Sequence, residues 1–316
     1  MTPFAFVFPG QGSQAVGMLD AWGDHPAVAD CLREASDALD QDLARLIREG
    51  PKEALALTTN TQPVMLVAGV AAWRAWLAEG GAMPSSMAGH SLGEYSALVA
   101  AGAMSLSQAA PLVRFRADAM QRAVPVGTGA MAAILGMDAA KVSAGCVEVT
   151  AGFDDPNEVV EAVNFNDPMQ TVIAGSKAAV EKACELLKAQ GAKRALPLPV
   201  SAPFHSSLMK PAAEALRERL AGIEIVAPTI PVLNNVDVAI ETDPQRIRDA
   251  LVRQAASPVR WVESVQALAS RGIATVVECG PGKVLAGMTK RIAPDVAASS
   301  IYDPATLEET RARLAA

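Results

Sequence analysis

Gly89-His90-Ser91-Leu92-Gly93 has the form G-x-S-x-G, in which a serine occupies a sharp turn between a strand and a helix. Glycines two residues before and two after the serine leave room for a strained backbone and for close packing around it. The flanks fit. Ser85-Ser86-Met87-Ala88 reads as a short buried strand, and residues 94–101 are good helix formers that stop at Gly102. The start of that helix aims backbone N–H groups at whatever Ser91 attacks, which favours a developing negative charge.

Working outward, residues 4–8 read as a buried strand running into the turn Pro9-Gly10-Gln11-Gly12-Ser13-Gln14. Helical patterns then cover 28–39, 43–49 and 63–78, the last with Asn60 or Thr61 as its start signal. After the serine turn comes an amphipathic helix over 107–123, with Pro111 early in it. From Gly127 the texture changes. Strands at 130–135, 159–163, 171–174 and 194–198 alternate with helices at 138–146 and 177–190, and Asn164-Phe165-Asn166-Asp167-Pro168 joins the second strand to the third. That β-α-β-β-α-β order is the ferredoxin-like signature. Helix at 207–220, strand at 230–234, helices at 244–254 and 262–270, and strand at 274–279 follow, and Gly280-Pro281-Gly282 opens a helix from Lys283. The expected fold is α/β. A hydrolase-like larger subdomain with a mainly parallel sheet (1–126 and 200–316) carries an inserted ferredoxin-like subdomain (127–199).

The chain has 316 residues, 51% hydrophobic and 19% charged, enough to bury a sizeable core. Only 4% are aromatic, so that core is built mainly from Ala, Val and Leu. A formal net charge of −7 argues against general nucleic-acid binding. The cysteines Cys31, Cys146, Cys184 and Cys279 form no C-x-x-C pair and read as reduced, mostly buried thiols. No basic leader precedes the first apolar run, and no apolar run approaches the ~20 residues of a membrane span. These features lead to the expectation of a cytoplasmic, monomeric protein with no membrane contact and no metal.

A serine hydroxyl needs a general base within hydrogen-bond reach, and there are only three histidines to supply it. His25 lies in a polar loop. His90 adjoins Ser91 on an extended strand, where neighbours point opposite ways. His205 remains, on the loop Val200-Ser201-Ala202-Pro203-Phe204-His205 that leaves the inserted module. An α/β-hydrolase runs serine, acid, histidine, with the histidine near the C-terminus. Here several elements still follow His205, so a lipase or esterase plan fits badly.

With these motifs on the page, the chain resembles the malonyl-CoA:acyl carrier protein transacylases over nearly its whole length. The resemblance rests on Phe8-Pro9-Gly10-Gln11-Gly12-Ser13-Gln14, Gly89 to Tyr95, Val126-Gly127-Thr128-Gly129-Ala130-Met131 and Asn164-Phe165-Asn166. It continues through Pro203-Phe204-His205, Leu251-Val252-Arg253-Gln254 and Glu278-Cys279-Gly280-Pro281-Gly282. It implies Ser91 as nucleophile, His205 as base and acid, and the Gln254 carbonyl in place of an aspartate. It further implies the Gln11 and Leu92 amides as an oxyanion hole and Arg116 as the group that holds the malonyl carboxylate. Arg114, on the same helix, reads alike from the residues alone. Asn164 and Asn166 are expected to line the cleft, and Phe204 to crowd out branched acyl groups. The implied substrate is malonyl-CoA with no tightly bound cofactor, and the implied partner is an acyl carrier protein of fatty acid synthesis or of a polyketide pathway. Lys193, Arg194, Lys283, Lys290 and Arg291 are candidates for a basic docking rim.

Three other readings compete, one of them a non-enzymatic scaffold with a degenerate site, which the presence of every mapped site residue disfavours. A thioester hydrolase would use the same serine. Gly10-Gln11-Gly12-Ser13-Gln14-Ala15 also matches the dinucleotide-binding fingerprint, but that motif requires a second strand ending in an acidic residue about 20 residues on. The sequence there, through Asp30 and Glu34, is helix-like.

Overall fold

The computed structural model describes residues 2–200 and 202–315. Its first strand, β1 (Phe4–Phe8), has a parallel strand on each side. It is buried along its whole length because its alternate side chains enter two separate apolar clusters, Phe4, Phe6 and Phe8 in one and Ala5 and Val7 in the other. A strand covered on both faces has no wet side, so its sequence runs apolar without alternation. Helices α1 (Pro26–Leu39), α2 (Leu43–Glu49), α3 (Lys52–Ala56) and α4 (Thr58–Ala78) come next, and only then β2 (Ser86–Gly89). The helix directly after β1 leaves no second strand where the dinucleotide fingerprint needs one.

The start of α4 differs most from the sequence reading. α4 begins at Thr58, ahead of the expected start, and Pro63 lies inside it. Asn60 and Thr61 do not cap it; they donate to the carbonyls of Ala54 (2.9 Å) and Leu55 (2.7 Å), tying α4 to α3. After α5 (Gly93–Ala100), α6 (Leu106–Arg122) opens with a capping box between Ser105 and Gln108. Pro111 lies inside α6, beyond the first turn where proline is tolerated without loss of a hydrogen bond. α4 is apolar around its circumference because it is buried among α1, α5 and α6.

The inserted module contains β3 (Gly129–Leu135), α7 (Ala139–Ala151), β4 (Val160–Asp167), β5 (Gln170–Ser176), α8 (Lys177–Ala189) and β6 (Arg194–Pro197). Its sheet runs β4-β5-β3-β6 with antiparallel neighbours, the ferredoxin-like order. The segment read as a joint, residues 164–168, is largely strand: β4 continues to Asp167, broken by two register shifts. Bulges of this kind accommodate the turn-forming asparagines and re-aim their side chains.

The chain returns through α9 (Lys210–Ala221), β7 (Val232–Leu233), α10 (Pro244–Gln254), α11 (Trp261–Ser270), β8 (Thr275–Cys279) and α12 (Val284–Ile292). It ends with β9 (Ala297–Ile301) and α13 (Pro304–Ala315), both unexpected from the sequence. β9 is a partly exposed edge strand of small residues and carries no hydrophobic signal. The large sheet runs β7-β2-β1-β8-β9, parallel throughout. Its seam with the small sheet is closed by backbone bonds between Val259 and both Val163 and Phe165, and by the Arg291–Asp167 ion pair at 2.7 Å.

Candidate active site

Ser91 sits between β2 and α5 with φ 53°, in the left-handed region that non-glycine residues avoid. The flanking glycines make this possible. A Cβ on Gly89 would fall 1.8 Å from the carbonyl carbon of Gly93, and one on Gly93 would fall 2.0 Å from the Phe8 carbonyl oxygen. Two amide side chains hold the turn. Asn235 accepts from Ser91 N–H (2.8 Å) and donates to the Gly89 carbonyl (2.7 Å), while Gln254 Nε2 donates to the Ser91 carbonyl (3.0 Å).

His205 also has a left-handed backbone, φ 66°, and its ring enters the cleft from the segment between β6 and α9. Nε2 lies 2.7 Å from Ser91 Oγ and Nδ1 lies 2.9 Å from the Gln254 carbonyl oxygen. A carbonyl can only accept, so Nδ1 carries the proton and Nε2 is the lone-pair nitrogen facing the serine hydroxyl. Burial, reinforced by the nearby Arg116 charge, pushes the imidazole pKa down to about 3. The ring is therefore neutral at physiological pH.

Arg116, 1% exposed, is a charged group within hydrogen-bond distance of the nucleophile. Nη1 donates to Gln62 Oε1 (2.7 Å), and Nη2 donates to Gln254 Oε1 (3.0 Å) and Ser91 Oγ (3.2 Å). The guanidinium also stands 5.5 Å from the Tyr95 ring centroid. No carboxylate pairs with it among the described residues. Arg114 points elsewhere, to Gln41 and Asn60. Of the two arginines, α6 turns Arg116 and not Arg114 toward the cleft.

A cavity of about 110 Å³ opens beside Ser91, and Gln11, Leu92, Arg116, Asn164, Phe204 and His205 all line it. Asn166 does not. It is buried behind the wall, with Oδ1 2.8 Å from His90 Nε2. Gln254 likewise acts from behind, through its carbonyl and its amide. His90 packs edge-on to Trp261 and makes no bond to Ser91 Oγ. His25, expected at the surface, is only partly exposed and lies 3.4 Å from Glu79.

Three residues that sequence reasoning did not single out complete the site: Gln62, Asn235 and Glu94. Gln62 and Asn235 are neutral amides with no local pattern to mark them. Glu94 directly follows the serine motif, where an acid in a first helical turn reads as ordinary dipole compensation. No group of His, Cys, Asp and Glu side chains able to hold a metal ion occurs among the described residues. No helix among them is long and apolar enough to cross a membrane.

Residues 5–301 match the acyl transferase domain family. The malonyl CoA-acyl carrier protein transacylase of Salmonella typhimurium is 55% identical over 308 residues, 97% of this chain and 98% of that protein. The Bacillus subtilis protein of the same name is 46% identical over 309 residues, 98% of this chain and 96% of that protein. Among solved structures, the acyl-carrier-protein S-malonyltransferase of Burkholderia pseudomallei superposes with TM-score 0.95 at 63% identity, covering 98% of this chain and 99% of that one. A malonyl-transacylase in complex with a type II polyketide synthase acyl-carrier protein gives TM-score 0.95 at 51% identity, over 99% of this chain and 100% of that one. A match running from the first strand to the last, over almost the whole of each relative, means that the chain belongs to the acyl transferase domain family, among the malonyl CoA-acyl carrier protein transacylases.

Proposed function

We propose that this protein moves a malonyl group from CoA to the phosphopantetheine thiol of an acyl carrier protein, through a malonyl ester on Ser91. The observation that carries the reading is Arg116: a buried cation without a carboxylate partner, within hydrogen-bond distance of the nucleophile. A planar guanidinium meets a carboxylate through two parallel charge-assisted bonds. Acetyl-CoA would leave that cation unpaired, at a cost of a few kcal/mol, on the order of that for breaking a buried ion pair.

His205 Nε2 takes the Ser91 proton as Oγ attacks the thioester carbonyl. The oxyanion forms toward the Gln11 and Leu92 amides at the cavity wall. As the carbon–sulfur bond breaks, His205 returns the proton to the CoA sulfur, and CoA leaves as the thiol. The carrier's pantetheine thiol then gives its proton to His205 and attacks the ester, and Ser91 leaves with that proton. Phe204 crowds the space beside the acyl carbon, and Asn164 faces the pantetheine from β4. In this reading residues 1–126 and 200–316 carry the chemistry, and 127–199 form the module that closes the cleft. The product feeds acyl-chain elongation of the fatty acid type.

Brief incubation with malonyl-CoA is expected to add one malonyl group to the intact protein, located by peptide mapping at Ser91 and absent from Ser91→Ala. Steady release of free malonate without an acceptor would instead make the protein a thioester hydrolase.

A further inference from the structure

Glu94 is 2% exposed, and its Oε2 accepts two hydrogen bonds, from Asn235 N–H and from Gln254 Nε2, both at 2.9 Å. The partners are the two residues that strap the Ser91 turn. Gln254 passes the contact on: its Oε1 accepts from Arg116 Nη2, and its main-chain carbonyl holds His205 Nδ1. A single carboxylate is thus one side chain away from the nucleophile's backbone, the base and the cation.

The order of groups carries the argument. Glu94, the Gln254 amide and Arg116 form a line in which the amide N–H end meets the anion and its carbonyl end meets the cation. A carboxylate placed directly on Arg116 would satisfy the guanidinium and occupy the nitrogens a substrate needs. A guanidinium buried with no anion nearby would be too costly to hold. The interposed amide takes one Nη2 N–H and puts no anion on the guanidinium, so charge is balanced across it without a direct ion pair.

We infer that Glu94 is a positioning residue, the buried counter-charge of Arg116, held one amide away so that the guanidinium remains available to a substrate carboxylate. The inference rests on the malonyl-transfer reading. Glu94 acts on the chemistry through charge as well as contact. Arg116 makes His205 a weaker base, and an anion at Glu94 opposes that effect.

The groups facing Glu94 are Arg116 from α6, Tyr95 on its own helix, and Asp237 and Glu241 from the segment after β7. Asp237 is paired with Arg253 at 2.7 Å, and Glu241 lies 3.7 Å from Arg246. Burial raises the Glu94 pKa to about 7. Protonation on Oε1 would leave both bonds to Oε2 in place, so charge is lost while geometry is kept. Above that pH Glu94 is anionic and supports His205; below it the support is withdrawn and turnover falls.

The test compares kcat and KM for malonyl transfer by wild type, Glu94→Gln and Glu94→Asp from mildly acidic to alkaline pH, with thermal melts of each. For Glu94→Gln the expected result is a near wild-type melt and a kcat about threefold lower at alkaline pH, the Brønsted response to a base weakened by roughly one pKa unit. KM for malonyl-CoA is expected to be unchanged or lower, because an anion near the substrate carboxylate has been removed, and the acid limb near neutrality disappears. Glu94→Asp is expected to keep a limb at a displaced pH. A Glu94→Gln profile identical to wild type, or a KM that rises as kcat falls, would overturn the inference. If Glu94→Gln does not fold, an undisplaced limb in Glu94→Asp does the same. Malonylation of wild-type Ser91 alongside any of these overturns only the inference; failure of wild type to malonylate overturns the reading beneath it.

Discussion

Ser91 and His205, 114 residues apart in sequence, both adopt left-handed backbone, and the two bends bring Oγ within 2.7 Å of Nε2. Neither bend is favourable for a side-chain-bearing residue. Each is maintained by its surroundings: the serine by Asn235 and Gln254, the histidine by its bond to the Gln254 carbonyl and by the Ser206 hydroxyl bond back to Pro203 (2.7 Å).

Removal of the imidazole tests that relationship. His205→Ala is expected to lower the rate of Ser91 malonylation about 10²–10⁴-fold, the usual contribution of a positioned general base. Rapid-quench mass spectrometry of the intact protein measures it. A rate within twofold of wild type, roughly a few tenths of a kcal/mol, would remove His205 from the mechanism.

The same imidazole has a stability signature. Its ordinary pKa of 6.5 is lowered to about 3 in the fold, so the unfolded chain binds a proton that the folded chain refuses. Stability is therefore lost as pH falls from 6.5 toward 3. His90, also buried, is shifted the same way. His205→Asn is expected to show a shallower decline of melting temperature with acid than wild type, read by calorimetry over that window. Equal slopes would mean that the ring is not held neutral.

Arg116→Ala is expected to weaken kcat/KM for malonyl-CoA about tenfold to a hundredfold, the scale of a hydrogen bond to a charged group. Discrimination against acetyl-CoA is expected to relax, because acetyl never used the pair. Competition between the two thioesters measures it directly, and unchanged selectivity would exclude Arg116 from substrate recognition.

Asn235 is fully buried, and Asn235→Ala leaves the part-buried Ser91 N–H and the buried Gly89 carbonyl without their partner. A loss of about 1–3 kcal/mol of stability is expected, together with slower Ser91 malonylation as the turn loosens. Urea unfolding and the labelling rate report the two effects, and an unchanged labelling rate would separate the strap from the chemistry.

Two of the candidates for a docking rim, Lys290 and Arg291, differ in their surroundings. Arg291 is committed to Asp167, whose side chain is 6% exposed, across the seam between the sheets, whereas Lys290 is solvent-exposed on the same helix. Lys290→Glu is expected to raise KM for the carrier protein more than for malonyl-CoA. Arg291→Glu is expected to lower thermal stability as well. Equal shifts in both KM values for Lys290→Glu would argue against a docking role.

Much of this was legible along the chain because it depends on neighbours in sequence. A G-x-S-x-G turn is a matter of local sterics, so Gly89, Ser91 and Gly93 announced it unaided. Element order announced the inserted module, since β-α-β-β-α-β fits few arrangements. His205 followed from scarcity of alternatives. β9, too short and too polar to register, did not. Nor did the true start of α4, where Pro63 sits inside a helix that tertiary packing holds together.

The bare chain determined the strained serine, the α/β frame with its insertion and the histidine able to serve as base, for each is set by backbone preference or residue supply. Tertiary structure alone decided that Arg116 and not Arg114 reaches the serine, and that Asn166 serves His90 rather than the cavity. It also decided that Glu94 meets Gln254 across 160 residues. An amide or a helical arginine has no role in its own sequence neighbourhood. It acquires one from the groups that folding delivers to its other end, and a hydrogen bond between distant segments leaves no periodicity to read.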